Sequence, residues 1–270
     1  MGNQLTFSGS GELDNGMNVS LSFVLDQADD STTGIANAPF DSHSVTISSD
    51  DLGTLVFSGE GGSSAQSAID TTAAGDLWNN GAGFTTPRAS EAGNNSMMYT
   101  LPTLMDDLTL KASYSPGSAG GGSATAWSAS YSGVEGLSLD YGVGQTETIG
   151  SEQEHTTYKA SYAYSSFTLS YSNTESAYDT DADGTDEEIS SWNVAYTVSD
   201  DISIAYGQET IETEDASTDE EVSKINVSYT TGGVTLSASQ FSATAVGNTT
   251  TESSSTGDKD RWSLSATFAF

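Results

Sequence analysis

The chain has 270 residues, no cysteine, and 38 acidic residues against 6 basic ones, which gives a formal net charge of −32. This charge argues against nucleic acid as a partner and against docking on anionic lipid, because both need Lys and Arg. The absence of cysteine excludes disulfides, thiolate metal sites and cysteine nucleophiles. His43 and His155 are the two histidines, which argues against a multi-histidine metal centre or a conventional acid–base enzyme.

Short segments along the chain alternate apolar and polar residues, the pattern that is typical of β-strands. The polar positions hold mostly Ser, Thr, Gly and Ala, whereas the apolar face is aromatic and aliphatic. Small wettable groups on one face and apolar groups on the other suit a barrel with water inside and lipid outside. The clearest segments lie at residues 4–13, 17–25, 44–49, 54–60, 108–114, 137–143, 167–171, 202–206 and 261–270.

The connections between these segments alternate in length. Tight turns such as Asp14-Asn15-Gly16 and Thr231-Gly232-Gly233 have the residues that allow positive φ. Outer-membrane barrels have short periplasmic turns and longer extracellular loops, so we predict a multi-pass protein of a Gram-negative outer membrane. The long connections are residues 27–41, 60–95, 115–123, 146–155, 174–187, 210–220 and 243–259.

The sequence therefore predicts an all-β fold, a transmembrane antiparallel β-barrel that occupies residues 1–270 as a single domain. We count about fifteen strands, and bacterial single-chain barrels have even strand numbers. We expect sixteen strands in the intact barrel, with the N-terminal strand missing from this chain. A barrel of that size is wide enough for an aqueous channel.

Three motifs resemble those of general diffusion porins of Gram-negative bacteria, of the type found in alphaproteobacteria. Leu13-Asp14-Asn15-Gly16-Met17 is similar to an early porin hairpin, and residues 52–60 (LGTLVFSGE) are similar to the strand that enters the third loop. The C-terminal Phe270, with apolar residues at every second position before it, is similar to the porin assembly signal. The resemblance implies a passive channel, a homotrimer, and a third loop (60–95) that folds into the lumen as the constriction.

The candidate constriction residues come from this loop and from the strands. A connection as long as 60–95 usually signals function, although a disordered surface loop is the alternative. By alternation, Lys224 and Arg261 also face the lumen, but they lie nearer the loop ends of their strands. The alternative for the charged residues of the wall is that they lie at the rim of the barrel and have no role in selectivity. The candidates are Glu60, Asp70, Asp76, Arg88 and Glu91 in the loop, and Lys111, Asp140 and Lys159 on the wall.

An acidic stretch, residues 179–188 (DTDADGTDEE), matches the start of a calcium-binding loop. Its twelfth position is Ser190 rather than the expected Glu, and no flanking helices are predicted. A solvated acidic loop is the alternative, and calcium bridging to lipopolysaccharide is another. The channel would require no cofactor, and calcium is the candidate ion. The candidate calcium ligands are Asp179, Asp181, Asp183, Asp186 and Glu188.

The leading functional hypothesis is a passive outer-membrane diffusion channel for ions and small hydrophilic solutes, with a cation bias from its acidic mouth. Its partners would be those solutes, outer-membrane lipid, lipopolysaccharide and two further copies of the chain. A substrate-specific channel is the main alternative. An acidic calcium-dependent surface adhesin would need a repeated Gly-Asp period, which the sequence lacks. A barrel enzyme would need a Ser–His pair, and no triad is evident near either histidine.

Overall fold

The alternating segments form one antiparallel sheet in a computed structural model, which describes residues 5–25, 40–79, 81–90, 94–117, 122–148, 150–180, 185–253 and 256–268. No helix in these ranges is long and apolar enough to span a membrane. The strands are β1 (Leu5–Glu12), β2 (Asn18–Leu25), β3 (Phe40–Ser49), β4 (Gly53–Glu60), β5 (Ser96–Thr100), β6 (Leu108–Ser115), β7 (Ala124–Val134), β8 (Leu137–Thr148), β9 (Ser151–Tyr164), β10 (Phe167–Tyr178), β11 (Glu187–Ser199), β12 (Ile202–Thr213), β13 (Glu220–Thr231), β14 (Val234–Val246) and β15 (Gly257–Phe268).

Each strand pairs with its neighbours in the sequence, from β1 to β15. Such a meander needs only hairpin connections, because antiparallel neighbours can be joined by tight turns. Among the described residues, no pairing joins β1 to β15. The predicted all-β antiparallel architecture with about fifteen strands is confirmed, and the sixteenth strand stays a prediction.

The two faces of the sheet differ as the alternation predicts. The outer face presents large apolar side chains to its surroundings, and Leu169, Leu264 and Trp262 are 58%, 70% and 78% exposed. Such exposure would be costly in water but is favourable in hydrocarbon. Aromatic rings pair on this face near the short turns, where Phe167 and Tyr196 stack at 4.5 Å between ring centroids. We call the opposite face, which carries the small polar residues, the inner face.

One expectation about strand extent is wrong. Residues 146–155 were expected to form a long loop, but β8 runs to Thr148 and β9 begins at Ser151. Apolar alternation marks only the lipid-facing part of a strand, and the backbone ladder continues beyond it, with Glu147 opposite Glu152. Phe241, unlike the large aromatic residues of the outer face, lies on the inner face between Lys224 and Arg261 and is 5% exposed.

The outward and inward positions of β13 should differ sharply in their tolerance of charge. Ile225 faces outward at the middle of the strand, and Asn226 faces inward. We expect Ile225→Arg to lower the free energy of unfolding by about 2–4 kcal/mol, because it places a cation in hydrocarbon, and Asn226→Arg to cost far less. Equilibrium unfolding in lipid vesicles measures both. Equal losses for the two variants would contradict the assignment of faces.

Candidate functional site

The connection between β4 and β5 lies against the inner face of the sheet; we call its described residues 61–79 and 81–90 the inner loop. Its backbone N–H groups donate to serine hydroxyls of several strands. Ala65 N bonds Ser113 Oγ of β6 at 2.8 Å. Further along, Ala73 N bonds Ser172 Oγ of β10 at 2.8 Å, and Ala74 N bonds Ser191 Oγ of β11 at 2.9 Å. The inner loop therefore crosses the wall from β6 to at least β11.

A buried glutamate of β12 holds the tip of the inner loop. Glu209 is 0% exposed, and its carboxylate accepts hydrogen bonds from Thr72 Oγ1 and, at 2.9 Å, from Trp78 N. Burying a carboxylate costs several kcal/mol unless donors surround it, and charge-assisted bonds to N–H and O–H groups offset that cost. Glu209 thus joins the two ends of the 72–78 segment to the wall.

Two further buried glutamates hold the returning part of the inner loop. Glu220 of β13 accepts from Thr85 N at 2.9 Å and from Gly247 N at 2.7 Å, which ties the inner loop to the β14–β15 connection. Glu187 of β11 accepts from Arg88 N at 3.0 Å. The sequence analysis did not single out Glu187, Glu209 or Glu220 as loop anchors. The signal that could have found them is their position on the inward parity of their strands.

Apolar packing adds to these hydrogen bonds. Leu77 and Phe84 of the inner loop pack with Val222, Phe241 and Val246 of the wall, and Val222 and Val246 are 0% exposed. Burial of such side chains contributes about 1.5–3 kcal/mol each. Apolar burial in this cluster therefore joins the inner loop to its wall.

Glycines of the strands allow the inner loop to approach closely. A Cβ atom at Gly144 would lie 2.3 Å from the Cβ of Ser90, and one at Gly207 would lie 2.8 Å from the Cβ of Ala74. Both distances are shorter than van der Waals contact. Only glycine fits at these two inward positions of β8 and β12 while the inner loop keeps its place.

The acidic candidates of the inner loop differ in their surroundings. Asp76 forms a reciprocal pair with Thr72, since Thr72 N donates to Asp76 Oδ1 at 2.9 Å and Asp76 N donates to Thr72 Oγ1 at 2.7 Å. Burial, with a smaller contribution from nearby Asp76, raises the pKa of the Asp70 carboxyl to about 6, although Lys159 acts to lower it. Asp70 therefore changes charge within the ordinary pH range.

The basic candidates lie in two groups on the inner face. Lys159 of β9 lies directly opposite Asp140 of β8, and its Nζ donates to Thr71 O of the inner loop at 2.8 Å. Lys111 is two residues from Ser113, on the same face of β6. The second group, Lys224 and Arg261, borders a cavity of about 230 Å³ together with Asp76.

The remaining constriction candidates are Arg88, Glu60 and Glu91. The Arg88 guanidinium bonds Thr185 O and lies 5.4 Å from the ring centroid of Tyr178, so it is held against the wall. Glu60 is the last residue of β4 and lies opposite His43. Glu91 lies outside the described residues.

A row of hydroxyls crosses the neighbouring strands β1 to β5 on the inner face. It is formed by Ser8, Ser22, Ser44, Ser58 and Ser96.

The candidate calcium ligands are not brought together among the described residues, which hold no group of three potential metal ligands. Asp181 and Asp183 lie outside them. Asp186 Oδ1 accepts from Tyr178 N at 2.8 Å, and Glu188 accepts from Asn173 Nδ2. Asp179 N donates to Glu152 O at 3.0 Å. The calcium site stays a prediction.

A model of the Gram-negative porin family matches residues 1–230. No curated protein sequence matches the chain significantly. Among solved structures, the anion-selective porin from Comamonas acidovorans is 14% identical with a TM-score of 0.66, over 89% of this chain and 78% of that one. A further porin is 15% identical with a TM-score of 0.64, over 99% and 92%. The trimer form of OmpT from Vibrio cholerae is 14% identical with a TM-score of 0.61, over 99% and 87%. At these identities the structures show a shared fold.

The buried carboxylate of β12 offers a test of how the inner loop is held. We expect Glu209→Ala to lower the free energy of unfolding by about 1–3 kcal/mol and to speed amide hydrogen exchange at residues 72–78, because two donors lose their acceptor. Glu212→Ala, on the exposed outward side of the same strand, is the matched control. Unchanged exchange at Trp78 N in Glu209→Ala would contradict the anchoring role.

Proposed function

Because the chain belongs to the Gram-negative porin family, we propose that it is a passive channel for ions and small hydrophilic solutes, biased towards cations and narrowed by its inner loop. Family and fold together establish the coarser function, an outer-membrane diffusion channel. They also confirm the predicted multi-pass β-barrel in a Gram-negative outer membrane. Diffusion through such a channel requires no cofactor.

The observation that carries the proposal is the attachment of the inner loop to the inner face. Serine hydroxyls of β6, β10 and β11 accept its backbone N–H groups, and carboxylates of β11, β12 and β13 do the same. A segment held inside a barrel reduces the free cross-section, and its side chains then meet every permeating solute. We assign the constriction to this segment, with Asp70 and Asp76 as its acidic groups.

The cation bias follows from the distribution of charge. The chain carries 38 acidic residues against 6 basic ones, and the loops and strand ends hold many of the acids. A lining of one sign raises the local concentration of counter-ions. On the inner face the acidic groups include Asp140, Asp70 and Asp76, while Lys159 is engaged with Thr71 O. The fold does not set the sign of selectivity, since the similar Comamonas porin is anion-selective.

We also propose that the protein assembles as a homotrimer in contact with outer-membrane lipid and lipopolysaccharide. The similar OmpT structure includes a trimer form, and the outer face presents large exposed apolar side chains, among them Trp127 at 62%. Such a surface suits both lipid and neighbouring subunits. Catalysis has no comparable support, because the porin family and fold are those of channels.

Ion selectivity in planar bilayers tests the proposed channel. We expect discrete conductance steps and, in a potassium chloride gradient, a reversal potential that favours potassium, because the acidic lining attracts cations. The preference should weaken as salt rises, since screening shortens the range of the charges. A reversal potential that favours chloride at moderate salt would overturn the cation bias, and a lack of conductance would overturn the channel itself.

The titration of Asp70 predicts a pH dependence of selectivity. Its pKa is raised to about 6, so the carboxylate is charged above this pH and becomes neutral below it. We expect cation preference to fall between about pH 7.5 and about pH 5, because a negative charge is lost from the constriction. Asp70→Asn should reduce this step and should itself lower cation preference at the higher pH. Asp106→Asn, in an exposed turn, is the matched control and should keep the wild-type pH profile.

A further inference from the structure

We propose that a cavity on the outer face binds the headgroup ammonium group of an outer-membrane lipid, between the indole ring of Trp127 on β7 and the carboxylate of Glu154 on β9. We call it the outer cavity; Val143, Gln145 and Thr156 also border it. The inference rests on the proposed contact of the outer face with lipid. It goes beyond the channel function because it names the chemistry of the lipid that is bound.

The outer face has no Lys or Arg among the residues that the structure describes. All six basic residues belong to the inner face or to the inner loop: Arg88, Lys111, Lys159, Lys224, Lys259 and Arg261. Lys and Arg are the side chains that attract lipid phosphates. An anionic headgroup therefore finds no direct partner on the outer face.

Carboxylates, by contrast, point outward along the end of the sheet that lies away from the tight turns. Glu147 of β8 is directly opposite Glu152 of β9. Glu188 of β11 is directly opposite Glu175 on one side and Glu212 on the other. Like charges in directly opposed positions destabilise a sheet. A cationic group at this end relieves the repulsion, so charge complementarity favours a headgroup with a positive charge.

The outer cavity forms where a short side chain lies between larger ones on neighbouring strands. Val143 of β8 is directly opposite Trp127 on one side and Thr156 on the other. The volume is about 240 Å³, which equals that of about eight waters in the liquid and is enough for a headgroup amine. Gln145 is opposite Glu154 but donates its Nε2–H group to a different residue, Glu152. Glu154 therefore presents an exposed carboxylate beside the exposed indole of Trp127.

An ammonium group matches both walls of the outer cavity. The face of an indole ring attracts a cation, and a carboxylate accepts charge-assisted hydrogen bonds from its N–H groups. The next outward row towards the tight turns has Tyr141 directly opposite Tyr158, and aromatic rows of this kind mark the interface of a membrane-spanning barrel. A lipid can thus place its headgroup at the outer cavity while its acyl chains pass these tyrosines and Leu139.

Two lipids with the same dioleoyl chains test the outer cavity: phosphatidylethanolamine, which has an ammonium group, and phosphatidylglycerol, which has none. Native mass spectrometry of the detergent-solubilised protein, with EDTA present, measures the dissociation constant of each lipid. We expect phosphatidylethanolamine to bind about tenfold more tightly, and Glu154→Gln or Trp127→Leu to weaken its binding about threefold to tenfold. Both variants should keep the wild-type conductance, because these side chains face away from the lumen.

Glu221→Gln is the matched control. Glu221 is an exposed outward residue of β13, opposite Thr210 and Thr244 and outside the outer cavity. The variant removes the same charge and should bind phosphatidylethanolamine as tightly as the wild type does. An equal loss of affinity in Glu221→Gln and Glu154→Gln would show that net charge alone sets the preference, and the site would be overturned.

Three further results would contradict the proposal. Equal affinity for the two lipids would exclude recognition of the ammonium group. Lipid binding that appears only when magnesium ions are added would assign the outer face to phosphates bridged by a divalent cation. Loss of the oligomer in Glu154→Gln, with lipid binding unchanged, would assign the outer cavity to a subunit contact. Failure of the channel function shows separately as absent conductance, whatever lipid the protein binds.

Discussion

The structure depends on how the backbone N–H groups of the inner loop find hydrogen-bond acceptors where the loop lies against the inner face of the sheet. Strand residues supply the acceptors: serine hydroxyls at Ser113, Ser172 and Ser191, and carboxylates at Glu187 and Glu209. The hydroxyls accept without the large desolvation cost of a buried charge, whereas the carboxylates bind more strongly and at higher cost. The path of the segment is therefore set by which inward positions of the wall have acceptors, and by the glycines that let it approach.

The charged side chains of the inner face are of two kinds: those that bind backbone groups of the connections, and those that border open space. Glu209 and Glu220 are 0% exposed and hold backbone groups of the inner loop, so they stabilise structure rather than attract ions. Lys159 and Lys259 likewise donate to backbone carbonyls of connections, at Thr71 and Thr256. The charges that border open space are different residues, with Asp76 on one side and Lys224 and Arg261 on the other. Formal net charge alone therefore overstates the field that a solute meets.

Alternation predicted the strands and their orientation well because the lipid side of a barrel admits few polar residues. Alternation predicted strand extent and orientation less well for residues that do not face lipid. Residues 146–148 and 151–155 belong to strands although they have no apolar stripe, because ladder hydrogen bonds persist there. Phe241 faces inward because the inner loop supplies an apolar surface there, through Leu77 and Phe84. The anchoring role of Glu209 depends on residues about 130 positions away, a separation that no local pattern encodes. The charged cavity is missed for the same reason.

Selectivity in such a barrel is determined by a few side chains at its narrow part rather than by the fold. The chain shares its fold with an anion-selective porin at 14% identity, so the wall tolerates almost complete replacement of its side chains. In this protein Lys224, Phe241 and Arg261 form a row on the inner face, and both cations border the same cavity as Asp76, so charges of both signs lie where the inner loop meets its wall.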